Sequence, residues 1–242
     1  MACGGSRTGC LMRLLLVAAD PMEFRAILAV TETPRKVSAA VDWGRTGRMN
    51  GHEVFLVANG AGWKRAAEAT DAACAEFPPD RVISTGFCGA LDPQLHVADV
   101  VEGTAVASGS RRFNALPVAG KGTVRMGIVC TIDHVAGTAE EKRALRANGF
   151  SAVEMEAAGV AERAAARGLP FSCVRAVTDL AGEDMANDFN RSLRSDGHFD
   201  TMRILGEAVR HPAARLPELI RLQRRCIQAG RALGEFFADC RF

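Results

Sequence analysis

Apolar, β-branched runs recur along the chain and alternate with stretches rich in alanine and charge. The runs at 14–19, 54–58, 81–85, 97–106, 127–131 and 171–177 have the length and residue types of buried strands. Helix signals lie between several of them. Asp20 before Pro21 places an N-cap and a first-turn proline, and Asp20-x-x-Glu23 is itself a capping arrangement. A second helix is expected over Trp63–Glu76, and a third starts at Thr138, with Glu141 completing a capping box. A fourth spans 155–167 and is closed by Gly168 and Pro170. This alternation predicts an α/β fold: a single domain whose central mixed β-sheet is flanked by helices, with a ligand crevice beyond the carboxyl ends of the strands. The Gly/Ser-rich residues 1–10 are expected to form a flexible tail and 11–242 the domain.

The pattern changes after His211. Leu216, Leu219, Ile220, Ile227, Leu233, Phe236 and Phe237 form an apolar stripe, and Arg215, Arg221, Arg224, Arg225 and Arg231 make the remainder basic. A long amphipathic helix over about 212–240 is expected, either packed on the sheet with a solvated cationic face or touching a lipid surface peripherally.

Composition adds exclusions. With 242 residues, 48% hydrophobic and 24% charged, the chain has the balance of a soluble globular protein. A formal charge of +2 lacks the basic excess of a nucleic-acid binder, so a small-molecule ligand is expected. No apolar run reaches the roughly 18 residues of a membrane span, which excludes integral membrane contact. Cys3, Cys10, Cys74, Cys88, Cys130, Cys173, Cys226 and Cys240 are scattered without metal-ligand spacing. Free thiols, a cytoplasmic location and no metal are expected.

Several segments carry candidate chemistry. Asn59-Gly60-Ala61-Gly62 follows a strand and opens a helix like a dinucleotide-binding turn, but Arg65 stands where the third glycine would allow close packing. The turn can still present backbone amides to a ligand. In Thr85-Gly86-Phe87-Cys88-Gly89, glycines directly after a buried strand would let the backbone approach a ligand, so Phe87, Cys88 and Gly89 are expected at a pocket. Cys88 reads better as a small buried hydrophobe than as a nucleophile. Glu23, Glu156 and Asp179 each have an ordinary reading as helix-start or strand-end carboxylates. Together they can converge on one crevice and divide acid, base and hydroxyl-binding duties. His134 lies just after a strand, and with Val135 it is the candidate base pocket.

These segments resemble the nucleoside phosphorylase and nucleosidase superfamily, in particular its methylthioadenosine/S-adenosylhomocysteine nucleosidase branch. The resemblance spans about 14–188. It rests on Ala19-Asp20-Pro21-Met22-Glu23, on Ile83-Ser84-Thr85-Gly86-Phe87-Cys88-Gly89-Ala90-Leu91, on Val97-Ala98-Asp99-Val100-Val101, and most specifically on Val153-Glu154-Met155-Glu156-Ala157-Ala158 with Val174-Arg175-Ala176-Val177-Thr178-Asp179. It implies a cofactor-free enzyme, a homo-oligomer, and a purine nucleoside or 5′-modified adenosine as substrate. Glu156 would hold the ribose hydroxyls, Met155 would pack on the sugar, and Asp179 would protonate or hydrogen-bond the purine at N7.

Phosphorylases of this superfamily hold phosphate through arginines and a serine at positions that are here Glu23, Ser84 and Phe87. A carboxylate at Glu23 would repel a dianion and can accept a proton from water, which favours hydrolysis. Arg25 and Arg175 remain as anion ligands for the alternative, phosphorolysis with phosphate as co-substrate. Phe87 replaces the serine usual in the nucleosidases. Asp188-Phe189-Asn190-Arg191 and the basic tail resemble hopanoid-associated phosphorylase-like proteins, which implies adenosyl-hopane as another substrate. A non-catalytic nucleoside-binding protein is the third reading.

Overall fold

The computed structural model describes residues 11–118, 120 and 124–242, so the tail expected over 1–10, with Cys3 and Cys10, lies outside the described residues. In chain order the elements are β1 (Arg13–Ala18), a 3-10 turn (Pro21–Phe24), α1 (Arg25–Ala29), β2 (Glu32–Lys36), β3 (Trp43–Met49), β4 (His52–Ala58), α2 (Trp63–Glu76) and β5 (Arg81–Ala90). They continue as β6 (Val100–Ser108), β7 (Arg111–Asn114), β8 (Val124–Thr131), α3 (Ala139–Ala147), β9 (Ala152–Glu154), α4 (Ala157–Ala166), β10 (Phe171–Asp179), α5 (Thr201–Arg210) and α6 (Pro212–Ala238).

The strands form one 10-stranded mixed sheet in the order β10-β6-β8-β9-β5-β1-β4-β3-β2, with β7 on β6. A further parallel pairing of β10 with β5 closes β5, β10, β6, β8 and β9 into a ring. The apolar runs are continuous because both faces are covered. Leu15, Val17, Phe55 and Val57 enter one core with Ala66 and Ala69 of α2 and Ala158 and Ala161 of α4. Their neighbours Leu14, Leu16, Val54 and Leu56 enter the other, under Ile27 of α1 and Ala229, Leu233 and Phe237 of α6. The second half of α6 thus docks on the sheet. On its outer side Ile220 stays 52% and Ile227 45% exposed.

Local details differ from the sequence expectation for identifiable reasons. The first helix is a 3-10 turn followed by a short α1, with the Asp20 capping box intact. The strand expected over 81–85 does not end at Thr85: Gly86, at φ +137, lets β5 bend and continue to Ala90, where it pairs with β9. The strand expected from residue 97 starts at Val100, after Ala98 turns the chain at φ +69. Thr138 caps α3 by accepting from the Glu141 amide, while the Glu141 carboxylate goes to His134 instead of closing the box. The fourth helix starts at Ala157, because Val153 and Glu154 pair in β9.

Helices α2 and α4 meet at Gly159, where an added Cβ would lie 2.1 Å from the Trp63 carbonyl oxygen. Glycine-to-alanine in a helix interior ordinarily stabilises by roughly 0.5–1 kcal/mol. Here Gly159→Ala is expected to destabilise by about 1–3 kcal/mol through overpacking, read as a lowered thermal midpoint. A raised midpoint would contradict this packing.

Candidate active site

Because parallel strands end on one side of the sheet, the chemistry-bearing residues gather there. The ends of β1, β5, β9 and β10, with the loops after β4 and β8, surround a cavity of about 370 Å³. Its polar wall holds Asp20, Glu23, Glu154, Glu156, Thr178 and Asp179. Phe87, Cys88, Gly89, Met155, His134 and Val135 also border it, so those expected residues share one space. The outer wall is apolar: Met185, Phe189, Phe199 and Ile204 come from the segment before and within α5, and Leu222 and Cys226 from α6.

Glu23 is held by three backbone amides. Its Oε2 accepts from Ala19 and Asp20, both at 2.9 Å, and its Oε1 from Phe87 at 2.7 Å. The close approach needs Gly86, where a Cβ would sit 2.4 Å from Glu23 Oε1. Burial raises the Glu23 pKa, against lowering by these amides and by the charge of Arg175.

Glu154 and Glu156 flank Met155 and do different things. Glu154 is built into the frame: Oε2 accepts from the Glu156 and Ala157 amides at 2.9 and 2.7 Å and from Arg175 Nη2 at 2.5 Å, and Oε1 takes the Thr131 hydroxyl. Glu156 has lighter ties, chiefly the Gly62 amide at 2.9 Å from Oε1. The glycine turn after β4 therefore does present an amide, but to a carboxylate. Burial and the neighbouring Glu154 charge push the Glu156 pKa up to about 8, with Arg175 opposing them.

Arg175, expected at the substrate, is not on the cavity wall. Its side chain is 1% exposed and pairs with Glu154 and, at 2.7 Å, with Ser84 Oγ. A buried guanidinium requires a nearby carboxylate, and β9, which like β10 pairs with β5, supplies Glu154. Arg25 is exposed and borders a separate groove with Met22 and Arg231.

Asp179 ends β10 over Gly89, where a Cβ would lie 2.7 Å from Oδ2. That same Oδ2 accepts from Lys142 Nζ at 2.5 Å. Sequence reasoning missed Lys142, since a helical lysine ordinarily reads as surface. The available signal was its spacing three residues before Leu145, on the inward stripe of α3. The apolar outer wall was also missed, because residues 185–204 carry little periodicity.

Burial raises the Cys88 thiol pKa well above its ordinary value, which suits a packed thiol rather than a nucleophile. His134 lies between Asp133, 2.7 Å from Nδ1, and Glu141, 2.5 Å from Nε2, and these contacts raise its pKa. The backbone N–H and C=O of Val135 are both engaged by the Asn190 carboxamide, at 2.7 and 2.9 Å. No group of three or more metal-ligating side chains occurs among the described residues.

Known proteins are similar to this chain in sequence and in fold. The chain is 27% identical over 224 residues to a 5′-methylthioadenosine/S-adenosylhomocysteine nucleosidase of Lysinibacillus sphaericus, covering 80% of this chain and 97% of that one. It is 29% identical over 204 residues to the Actinobacillus succinogenes protein of the same name, covering 72% and 88%. Among solved structures, the S-adenosylhomocysteine nucleosidase of Streptococcus pyogenes with 5-methylthiotubericidin superposes with a TM-score of 0.71 at 18% identity, covering 96% of this chain and 98% of that one. The Neisseria meningitidis nucleosidase with methylthio-immucillin-A gives 0.70 at 23% identity, covering 94% and 99%. With the phosphorylase superfamily model matching residues 13–122 and 114–200, the chain belongs to the phosphorylase superfamily.

Proposed function

We propose that this chain is an N-ribosyl hydrolase that cleaves the glycosidic bond of a purine nucleoside or 5′-modified adenosine. The observation that carries the reading is the charge of the cavity wall. Asp20, Glu23, Glu154, Glu156 and Asp179 line it, and no lysine or arginine does among the described residues. A phosphate dianion placed there would meet carboxylates without a guanidinium, whereas water would meet a base. The names of its relatives support the same reading.

In this mechanism Glu156 holds the ribose hydroxyls and Met155 packs on the sugar. Glu23 takes a proton from the attacking water, and its raised pKa makes it the better base. Asp179 assists departure of the base at N7, beside His134 and Val135, with Phe87, Cys88 and Gly89 forming the adjoining wall. Positive charge on the sugar and negative charge on the base develop together as the bond breaks, and carboxylate and acid meet them separately. No cofactor takes part.

The apolar outer wall favours a hydrophobic 5′ substituent, and this supports adenosyl-hopane as a second substrate reading. Exposed Ile220 and Ile227 among the arginines of α6 support a peripheral lipid contact or a homo-oligomer. No described helix is long and apolar enough to cross a membrane, and the described cysteines are free thiols, which suits the cytoplasm.

The test is release of free base from adenosine, inosine, methylthioadenosine and adenosylhomocysteine, with and without phosphate, followed by chromatography. Phosphate-independent release with a free sugar is expected, and a sugar 1-phosphate formed only with phosphate would overturn the reading. Asp179→Ala and Glu23→Gln should each lower turnover roughly 10²–10⁴-fold in a folded protein. Near-wild-type turnover in either would remove that residue from the mechanism.

Glu156 gives a pH signature. If its charged form grips the ribose, kcat/KM should fall on the acid side of an apparent pKa near the value of about 8 that its surroundings impose. Stability runs the other way: the contribution of a carboxyl raised on folding is present below its unfolded pKa and lost as pH rises through its folded one. Thermal melts should therefore show Glu156→Gln gaining on the wild type at pH about 9 and not at pH about 4. A pH-independent difference would contradict the buried-charge account.

A further inference from the structure

Lys142 is a buried titratable group for which the mechanism above has no use. Its side chain is 0% exposed, yet an ammonium without a partner in such a place is strongly destabilising. The partners are Asp179 Oδ2 at 2.5 Å and the Leu180 carbonyl oxygen at 3.0 Å. Asp179 borders the cavity and Lys142 does not, so the amine stands behind the carboxyl, out of reach of a ligand. Lys142 and Asp179 also border an adjoining void of about 20 Å³ with Glu183 and Arg225, large enough for one water-sized group. Glu183 and Arg225 face it as an ion pair at 2.5 and 2.9 Å, and the other two carboxylates there, Asp184 and Glu218, accept from the backbone amides of Ala139 and of Ala186 and Asn187, while the lysine donates to Asp179. The other oxygen, Oδ1, lies 3.1 Å from the Thr178 hydroxyl. The carboxyl is thereby fixed from behind on one oxygen and from the side on the other.

We propose that Lys142 is the positioning residue of the base-side acid: it orients Asp179 and supplies the proton that Asp179 delivers to the departing base. This rests on the hydrolase reading above. The proton balance is closed. As the glycosidic bond breaks, its electron pair passes to the purine. The Lys142 ammonium passes a proton along its hydrogen bond to the Asp179 carboxylate, and Asp179 gives a proton to the base nitrogen. The sugar cation is captured by water, whose proton goes to Glu23. Afterwards Glu23 returns that proton to water in the cavity, and the neutral Lys142 amine regains one from the same water through Asp179, so no oxidant, reductant or further reactant is needed.

A purely structural lysine, pinning the Asp179–Leu180 backbone, would give a different result from a proton-supplying one, and the leaving group separates them. Turnover of a purine nucleoside by the wild type is measured first, because its absence refutes the hydrolase reading and this inference with it. Lys142→Met should then lower kcat on the nucleoside roughly 10²-fold with KM little changed. On a para-nitrophenyl riboside carrying the same 5′ group, whose leaving group departs without a proton, Lys142→Met should turn over close to the wild-type rate. Asp179→Asn should show the same split. Equal losses on both substrates, or unchanged nucleoside turnover, would overturn the role of Lys142 while leaving the hydrolase reading standing. Should Lys142→Met fail to fold in thermal melts, Lys142→Gln, which keeps a donor for Leu180 but no exchangeable charge, gives the same comparison.

Discussion

Arg175 is closed to solvent beneath the cavity carboxylates, and the rest of the site depends on the charge it brings there. It pairs directly with Glu154 and lowers the pKa of Glu23 and of Glu156 through space. Burial raises the pKa of both carboxyls, and the guanidinium opposes that rise at each. A single guanidinium spends itself on the frame carboxylate and still offsets the two that face the cavity. Breaking such a pair by removing one partner costs roughly 3–5 kcal/mol, so the arrangement is as much structural as electrostatic.

The backbone is shaped around the same carboxylates. Gly86 and Gly89 on β5 lie against Glu23 and Asp179, at separations that a methyl group could not tolerate. The capping box after β1 turns Glu23 back so that the amides of Ala19, Asp20 and Phe87 all donate to it. Glu156 hangs between β9 and α4 on the Gly62 amide. These acids are fixed by main-chain hydrogen bonds from different parts of the chain, which places them to within a hydrogen bond's tolerance before any ligand arrives. The apolar outer wall from α5 and α6 borders the same cavity.

Much of this was legible in the sequence. Strands covered on both faces announce themselves as unbroken apolar runs, as at 14–17 and 54–57, and Asp20-Pro21 and Gly168 mark helix ends by local chemistry. The edge strand Glu32–Lys36 has no apolar alternation to find, since all its residues are exposed, and β9 is too short to show a period. The roles of Arg175 and Lys142 were hidden for a deeper reason. An arginine inside Phe171-Ser172-Cys173-Val174-Arg175 must have a buried partner, but which one depends on cross-strand register that closes only in the folded ring. Lys142 meets Asp179 across 37 residues, and nothing local to α3 records that distance.

Arg175 acts on the charge of Glu156, a carboxyl it does not touch by a hydrogen bond. The most direct measurement is a pH titration of Glu156 by isotope-edited NMR of the side-chain carboxyl, in the wild type and in Arg175→Met, with Arg175→Lys as the milder replacement. The account expects a wild-type midpoint near about 8 that moves further up when the guanidinium is removed and is largely kept when the lysine cation replaces it. A midpoint at the ordinary glutamate value, or one indifferent to the loss of Arg175, would contradict it.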